Sequence, residues 1–165
     1  MTDATIVLLR HAKADRPTDL PDADRPLTPR GHADAAAAGA WLVKNSLRPE
    51  LVLCSPARRT RQTWHGVAVA LGNAASPTAR YVPDIYEASA SDLLGVLREV
   101  DAGVGTVLLV GHNPGISLLS TLLAPSAAGG DGLRTCGLAV HRPRVEWSRL
   151  GSGDAELALS HTARG

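Results

Sequence analysis

At 165 residues, with 44% hydrophobic and 20% charged side chains, the chain is long enough to bury one well-filled core and lacks the composition of a disordered, collagen-like or disulfide-stapled polypeptide. Seventeen Lys and Arg against sixteen Asp and Glu leave a formal net charge of +1, so nothing in the overall balance recruits nucleic acid or an anionic membrane. The longest apolar runs are strand-sized rather than the roughly 20 residues of a membrane helix.

No basic stretch followed by an apolar tract succeeds Met1, so export lacks a signal and a cytoplasmic location is expected. Cys54 and Cys136 form neither a metal-type CxxC pair nor a disulfide framework and are expected to be reduced. One domain over residues 1–165 is expected, with the last few residues as a flexible tail.

Residues 4–9 read as a nearly continuous apolar strand, broken abruptly by Arg10 and His11. Residues 15–28 are rich in Pro, Asp and Arg, which signals a loop. Thr28-Pro29 is an N-cap followed by proline at the first helical position, and predicts a helix over residues 29–47 with alanines for close packing on a sheet. A strand over 51–54 and a helix over 57–71 follow, stopped by Gly72.

Residues 80–83 predict a short strand, 84–87 a loop and 90–100 a helix. Residues 106–110 are the most strand-like interior run, after which Asn113-Pro114 opens a helix to Leu123. Residues 124–132 read as a bend, and the segments 138–140, 145–150 and 157–159 as the completion of one domain edge. The repeated strand, loop, helix order predicts a three-layer α/β/α domain with a central mainly parallel or mixed sheet. In such a sheet, ligands sit at the C-terminal strand ends, where Arg10-His11, residues 55–59 and Gly111-His112 would converge.

Two histidines far apart in sequence, His11 and His112, are thus brought to one edge. An imidazole can attack phosphorus and become transiently phosphorylated. Arg10 and Arg59 can hold phosphoryl oxygens through charge-assisted hydrogen bonds. The residues alone leave open which imidazole reacts.

The runs Leu9-Arg10-His11-Ala12, Ser55-Pro56-Ala57-Arg58-Arg59-Thr60-Arg61-Gln62-Thr63 and Val110-Gly111-His112-Asn113-Pro114 strongly resemble the histidine phosphatase superfamily, with its phosphoglycerate mutase-like fold. The short chain and the opening residues 9–14 resemble its small SixA-like phosphohistidine phosphatase branch. The resemblance implies His11 as nucleophile, Arg10 and Arg59 as phosphate clamps, and His112 as electrostatic and hydrogen-bonding partner. It selects Arg59, four residues after Ser55, over Arg58, which is read as a solvated side chain. The implied activity is a metal-independent phosphatase working through a phosphohistidine enzyme intermediate, with protein phosphohistidine as substrate. A phosphomonoesterase on a small metabolite or phosphoprotein, a mutase and a noncatalytic phosphate-binding module are the alternatives.

Glu87 is the best-placed carboxylate to protonate a leaving group or guide water, with a loop salt bridge as the other reading; Asp15, Asp19 or Asp22 can approach from the 15–28 loop. Ser55 either contacts phosphate or stabilises its turn, and Thr60 and Thr63 either line the site or support the helix. The backbone amides of residues 111–115 can add to an anion site. His32, His65, His141 and His161 are read as structural or solvated.

Cys54 precedes Thr60, not an arginine, by six positions, which excludes a CxxxxxR phosphatase loop. No GxxxxGK[ST], GxGxxG or HExxH occurs, so no nucleotide cofactor and no metal are expected. The partner is expected to be a phosphorylated protein or small phosphorylated molecule. The short chain leaves little material for a lid, so an open, shallow pocket is expected, and the sequence leaves the oligomeric state undecided.

Overall fold

The computed structural model describes residues 3–127 and 132–165. In chain order the main elements are β1 (Thr5–Arg10), α1 (Pro29–Lys44), β2 (Leu51–Cys54), α2 (Arg58–Leu71) and β3 (Thr78–Tyr81). They continue with α3 (Ala90–Arg98), β4 (Thr106–Gly111), α4 (Gly115–Leu123), β5 (Gly137–Pro143) and β6 (Ala155–Thr162). Among the described residues a six-stranded sheet runs β3-β2-β4-β1-β5-β6. The four strands from β3 to β1 are parallel, and β5 and β6 add an antiparallel edge. This is the mixed α/β sheet expected from the strand, loop, helix order.

The alternation along β1 builds the two cores. Ile6 and Leu8 point to the face covered by α3 and α4, meeting Leu93, Leu97, Ile116 and Leu119. Val7 and Leu9 point to the opposite face, against Ala35, Ala38 and Leu42 of α1 and Val67 and Leu71 of α2. Strands apolar on both faces are what a sheet sandwiched between helices requires. Each fully buried Leu or Val contributes about 1.5–3 kcal/mol of transfer free energy.

The parallel register positions the site. Arg10 pairs with Gly111, and Cys54 with Val110. Strands β1, β4 and β2 therefore end level, and His11, His112 and Ser55 leave the sheet side by side. The His11 amide donates to the Gly111 carbonyl and the Ser55 amide to the Val110 carbonyl, both at 3.1 Å.

Several expected bounds are corrected. Helix α1 stops at Lys44 rather than Leu47: Ser46 takes a left-handed φ of 56° and the Leu47 amide returns to the Leu42 carbonyl. Strand β3 spans Thr78–Tyr81 rather than 80–83, because Pro83 instead opens a 3-10 turn, Pro83–Ile85. Segment 145–150 contributes no strand; its centre is the 3-10 turn Trp147–Arg149, with the Trp147 indole donating to the Val104 carbonyl at 2.9 Å. Of the bend expected over 124–132, residues 128–131 lie outside the described residues. The end of the chain, expected as a tail, is docked: Ala163 is buried and its amide donates to the Cys136 carbonyl. His161 lies in β6, stacked on Trp41 with ring centroids 4.9 Å apart.

Candidate active site

His11 emerges from the end of β1, 9% exposed, with its Nδ1 2.7 Å from the Ala12 carbonyl. A carbonyl only accepts, so Nδ1 carries the proton and the Nε2 lone pair is free. Burial is the main influence on this imidazole, pushing it down to about 3; the Ala12 bond opposes that, while His112, Arg59 and Arg10 add to it. His11 is therefore neutral at physiological pH.

His112 follows β4, its ring centroid 5.4 Å from that of His11. Its Nε2 lies 2.7 Å from Ser55 Oγ, which also accepts the Ala57 amide at 3.3 Å. With the Ser55 hydroxyl donating to Nε2, His112 carries its proton on Nδ1, a buried atom with no partner among the described residues. Burial, followed by the Arg59 charge, pushes His112 down to about 4.

Arg59 projects from the first turn of α2 and is 6% exposed. Its Nη1 donates to the Asp22 carbonyl at 2.7 Å and its Nη2 to Asp22 Oδ2 at 3.0 Å. Arg10 donates through Nη1 to the Leu133 carbonyl at 3.0 Å. Among the described residues, the Nε of each arginine is buried without a partner. Arg10, Arg59 and His112, each with a buried nitrogen that lacks a partner among the described residues (Arg10 Nε, Arg59 Nε and His112 Nδ1), line one cavity of about 240 Å³ with His11 in its wall. Leaving buried polar atoms unpaired is costly, and the charges of Arg10 and Arg59 suit the cavity to an anion.

Thr63 ties α2 to the strand carrying His11. Its hydroxyl donates to the Arg59 carbonyl at 2.7 Å and accepts the Ala12 amide at 3.0 Å. The Thr60 hydroxyl donates to the Ser55 and Ala57 carbonyls, both at 2.8 Å. Both threonines act as supports to the helix and its turn.

The structure brings Arg10, His11, Arg59 and His112 together and leaves Glu87 apart. Glu87 is exposed, at a left-handed φ of 56°, and is not among the cavity's lining residues. Asp22 does reach the site, as the acceptor for Arg59, for Arg25 at 3.1 Å and for the Tyr86 hydroxyl at 2.5 Å. The Tyr86 bond, then those of Arg59 and Arg25, hold its carboxyl well below the usual carboxylate range, so it stays ionised and has no proton to donate. Tyr86 in turn sets its ring edge-on to His112, centroids 5.6 Å apart.

Segment 15–28 reaches the site through Asp22, which bonds to both Arg59 and Tyr86. Sequence reasoning missed Lys13, Arg16 and Arg25, which also line the cavity. Their placement depends on the bridge between Ala14 and Leu27, a non-local pairing with no sequence motif. Arg58, His32 and His65 are exposed, and His141 is buried between Ser120 Oγ at 2.7 Å and the Ala155 carbonyl at 2.9 Å. Both cysteines are free and buried, their thiols pushed up to about 12 chiefly by burial. Among the described residues, no three His, Cys, Asp or Glu side chains gather to hold a metal ion, and no helix is long and apolar enough to cross a membrane.

Residues 6–103 match the histidine phosphatase superfamily (branch 1). An uncharacterized protein of Mycobacterium tuberculosis (strain H37Rv) is 36% identical over 165 residues, covering 94% of this chain and 100% of the relative. The provisionally named phosphohistidine phosphatase SixA from Nakamurella multipartitia is 32% identical with a TM-score of 0.83, over 97% of this chain and 96% of that one. The provisionally named SixA from Agrobacterium tumefaciens is 30% identical with a TM-score of 0.81, over 96% of this chain and 97% of that one. A match that runs from the strand carrying Arg10 and His11 on past α2 and α3, joined to SixA folds that cover nearly the whole chain, makes this protein a member of the histidine phosphatase superfamily and a phosphatase of its SixA-like branch.

Proposed function

We propose that this phosphatase hydrolyses phosphohistidine on proteins, through a covalent phosphohistidine formed on His11. The observation that carries the reading is a cavity lined by Arg10, Arg59 and His112 whose wall also holds a neutral imidazole with a free Nε2 lone pair. In the first step His11 Nε2 attacks phosphorus in line while the bond from phosphorus to the substrate nitrogen breaks. The leaving imidazole, protonated on its other ring nitrogen, departs neutral. Arg10, Arg59 and His112 Nδ1–H stabilise charge on the oxygens of the transferred group. His11 retains its Nδ1 proton against the Ala12 carbonyl, so the phosphorylated ring is cationic and a good leaving group. Water then attacks phosphorus, its protons leave with inorganic phosphate, and His11 is restored to its neutral form.

The acid inventory favours phosphorus–nitrogen over phosphorus–oxygen cleavage. An alkoxide leaving group needs a proton donor, yet no carboxyl group is among the cavity's lining residues and Asp22 is held ionised. An imidazole leaving group does not need one. This supports a phosphorylated protein as partner and a secondary place for phosphomonoesters.

The test is the initial rate of inorganic phosphate release from a phosphohistidine protein domain, a phosphoserine peptide and p-nitrophenyl phosphate, with His11→Ala as blank. Preferred turnover of phosphohistidine, with an acid-quenchable phosphoenzyme absent from the variant, is expected. Turnover of the esters alone would overturn the substrate assignment and leave the His11 mechanism standing.

A further inference from the structure

We propose that the site selects phosphoryl compounds carrying a second anionic group, and that Lys13 and Arg16 at the outer end of the cavity bind that group. The inference rests on the phosphatase reading above and names the class of substrate within it.

Charge at the cavity is not balanced by a phosphoryl group alone. Arg10, Lys13, Arg16, Arg25 and Arg59 all line it, with no carboxylate among the lining residues. The carboxylate bonded to this set is that of Asp22, shared by Arg25 and Arg59. A phosphoryl dianion held by Arg10 and Arg59 then leaves two cations uncompensated. Lys13 and Arg16 are those two: both are exposed, and neither side chain makes a hydrogen bond or ion pair among the described residues.

The backbone under these side chains is built rather than loose. The Lys13 carbonyl accepts from the Thr28 amide at 2.9 Å and the Thr28 hydroxyl at 3.3 Å. A Cβ on Gly31 would stand 2.1 Å from that same carbonyl, so helix α1 starts hard against Lys13, and only glycine permits it. Ala14 bridges Leu27, and the Asp15 amide donates to the Pro26 carbonyl at 2.8 Å. Arg25 Nε closes the ribbon by donating to the Asp15 carbonyl at 2.9 Å. The backbone of Lys13 to Asp15 is thereby anchored, with Arg16 next in the chain, and the exposed heads of Lys13 and Arg16 are free for an anion. Their exposure beside buried His11 and Arg59 sets the division of labour: the phosphoryl group inside, the second anion toward solvent.

The second anion has two sources of the same chemistry. In a protein substrate it is an Asp or Glu beside the phosphohistidine. In a small substrate it is a carboxylate or second phosphate on the leaving group.

The experiment measures preference as a ratio. Specificity constants are compared for phosphohistidine peptides with Asp or Asn beside the modified residue, and for 4-carboxyphenyl phosphate against phenyl phosphate. Binding of pyrophosphate and inorganic phosphate is compared by calorimetry, independently of turnover. The wild-type protein should favour the doubly anionic member roughly tenfold, the order given by two solvent-exposed charge pairs, with the ratio shrinking as salt is raised. In Lys13→Gln/Arg16→Gln the ratio should fall to about one. A preference in the peptide pair alone assigns the anion to a protein substrate, one in the aryl pair alone to a small molecule, and both support the subsite. A wild-type ratio near one, or a ratio retained in the double variant, overturns it. Failure of the phosphatase reading has a different signature: no phosphate release from any substrate and no binding of inorganic phosphate.

Discussion

His11 and His112 are imidazoles that the fold keeps neutral, and that has a measurable cost in acid. Burial, the largest cause for both, lowers His11 from 6.5 to about 3 and His112 to about 4. In the unfolded chain each takes up a proton as pH falls below its ordinary value, whereas in the folded chain neither does until near its depressed one. Their contribution to stability is therefore complete above pH 6.5 and is lost as pH falls through the window down to the folded values. Within that window each histidine contributes a slope of up to about 1.4 kcal/mol per pH unit. Urea unfolding between about pH 7 and pH 4 should show the wild-type midpoint falling more steeply than that of His11→Asn. Parallel curves would mean that the imidazole is not held neutral. The slope is read as a difference from the variant because ordinary carboxylates also titrate at the acid end. Asp22, held low by Tyr86, Arg59 and Arg25, keeps its charge through the window.

Helix packing gives an opposite-signed pair of predictions for one type of substitution. A Cβ on Gly39 of α1 would lie 2.6 Å from Ala70 Cβ and 2.7 Å from the Val67 carbonyl oxygen of α2. Neither obstacle is the end of a flexible side chain, so α1 and α2 must separate, at about 1–3 kcal/mol. That exceeds the roughly 1 kcal/mol of helix propensity that alanine adds, and Gly39→Ala should be destabilising. Gly95 in α3 has nothing within 4 Å of its Cβ position, so Gly95→Ala should stabilise by up to about 1 kcal/mol. Chemical denaturation of the two variants checks both signs. The same scale shows what the sequence could carry. Strands β1, β2 and β4 and the Thr28 cap were legible because apolar runs and an N-cap are local signals. Segment 145–150 was not: Val145, Trp147 and Leu150 look strand-like, but Trp147 is committed to the core beneath α3 and to the Val104 carbonyl. At the site, Arg10, His11, Arg59 and His112 lie in motifs at element ends. Lys13, Arg16 and the Asp22 contact with Arg59 depend on how residues 13–28 fold back, which no local pattern encodes.

At the scale of the whole molecule, the chain's last residues close the fold beside the strand that carries the site. Asp34 of α1 has a side chain only 2% exposed. Its Oδ1 accepts the Gly165 amide at 2.9 Å, and its Oδ2 lies 3.4 Å from Arg164 Nη1. Arg164 also donates to the Thr135 carbonyl at 2.9 Å, and the Ala163 amide to the Cys136 carbonyl at 3.1 Å. Cys136 in turn donates its amide to the Arg10 and His11 carbonyls, at 3.1 and 3.0 Å. Removing residues 163–165 strips a buried carboxylate of both partners, which costs about 2–4 kcal/mol once discounted for the partial exposure of Arg164. A solvated tail would cost less than about 0.5 kcal/mol. Asp34→Asn in the truncated chain should recover part of the loss, because an unpaired amide is cheaper to bury than an unpaired charge, and a double-mutant cycle isolates that term. Since the released residues also anchor the backbone holding Arg10 and His11, phosphate release should fall along with the thermal midpoint. An unchanged midpoint with an unchanged rate would show that this closure contributes nothing to the fold or to the geometry of the site.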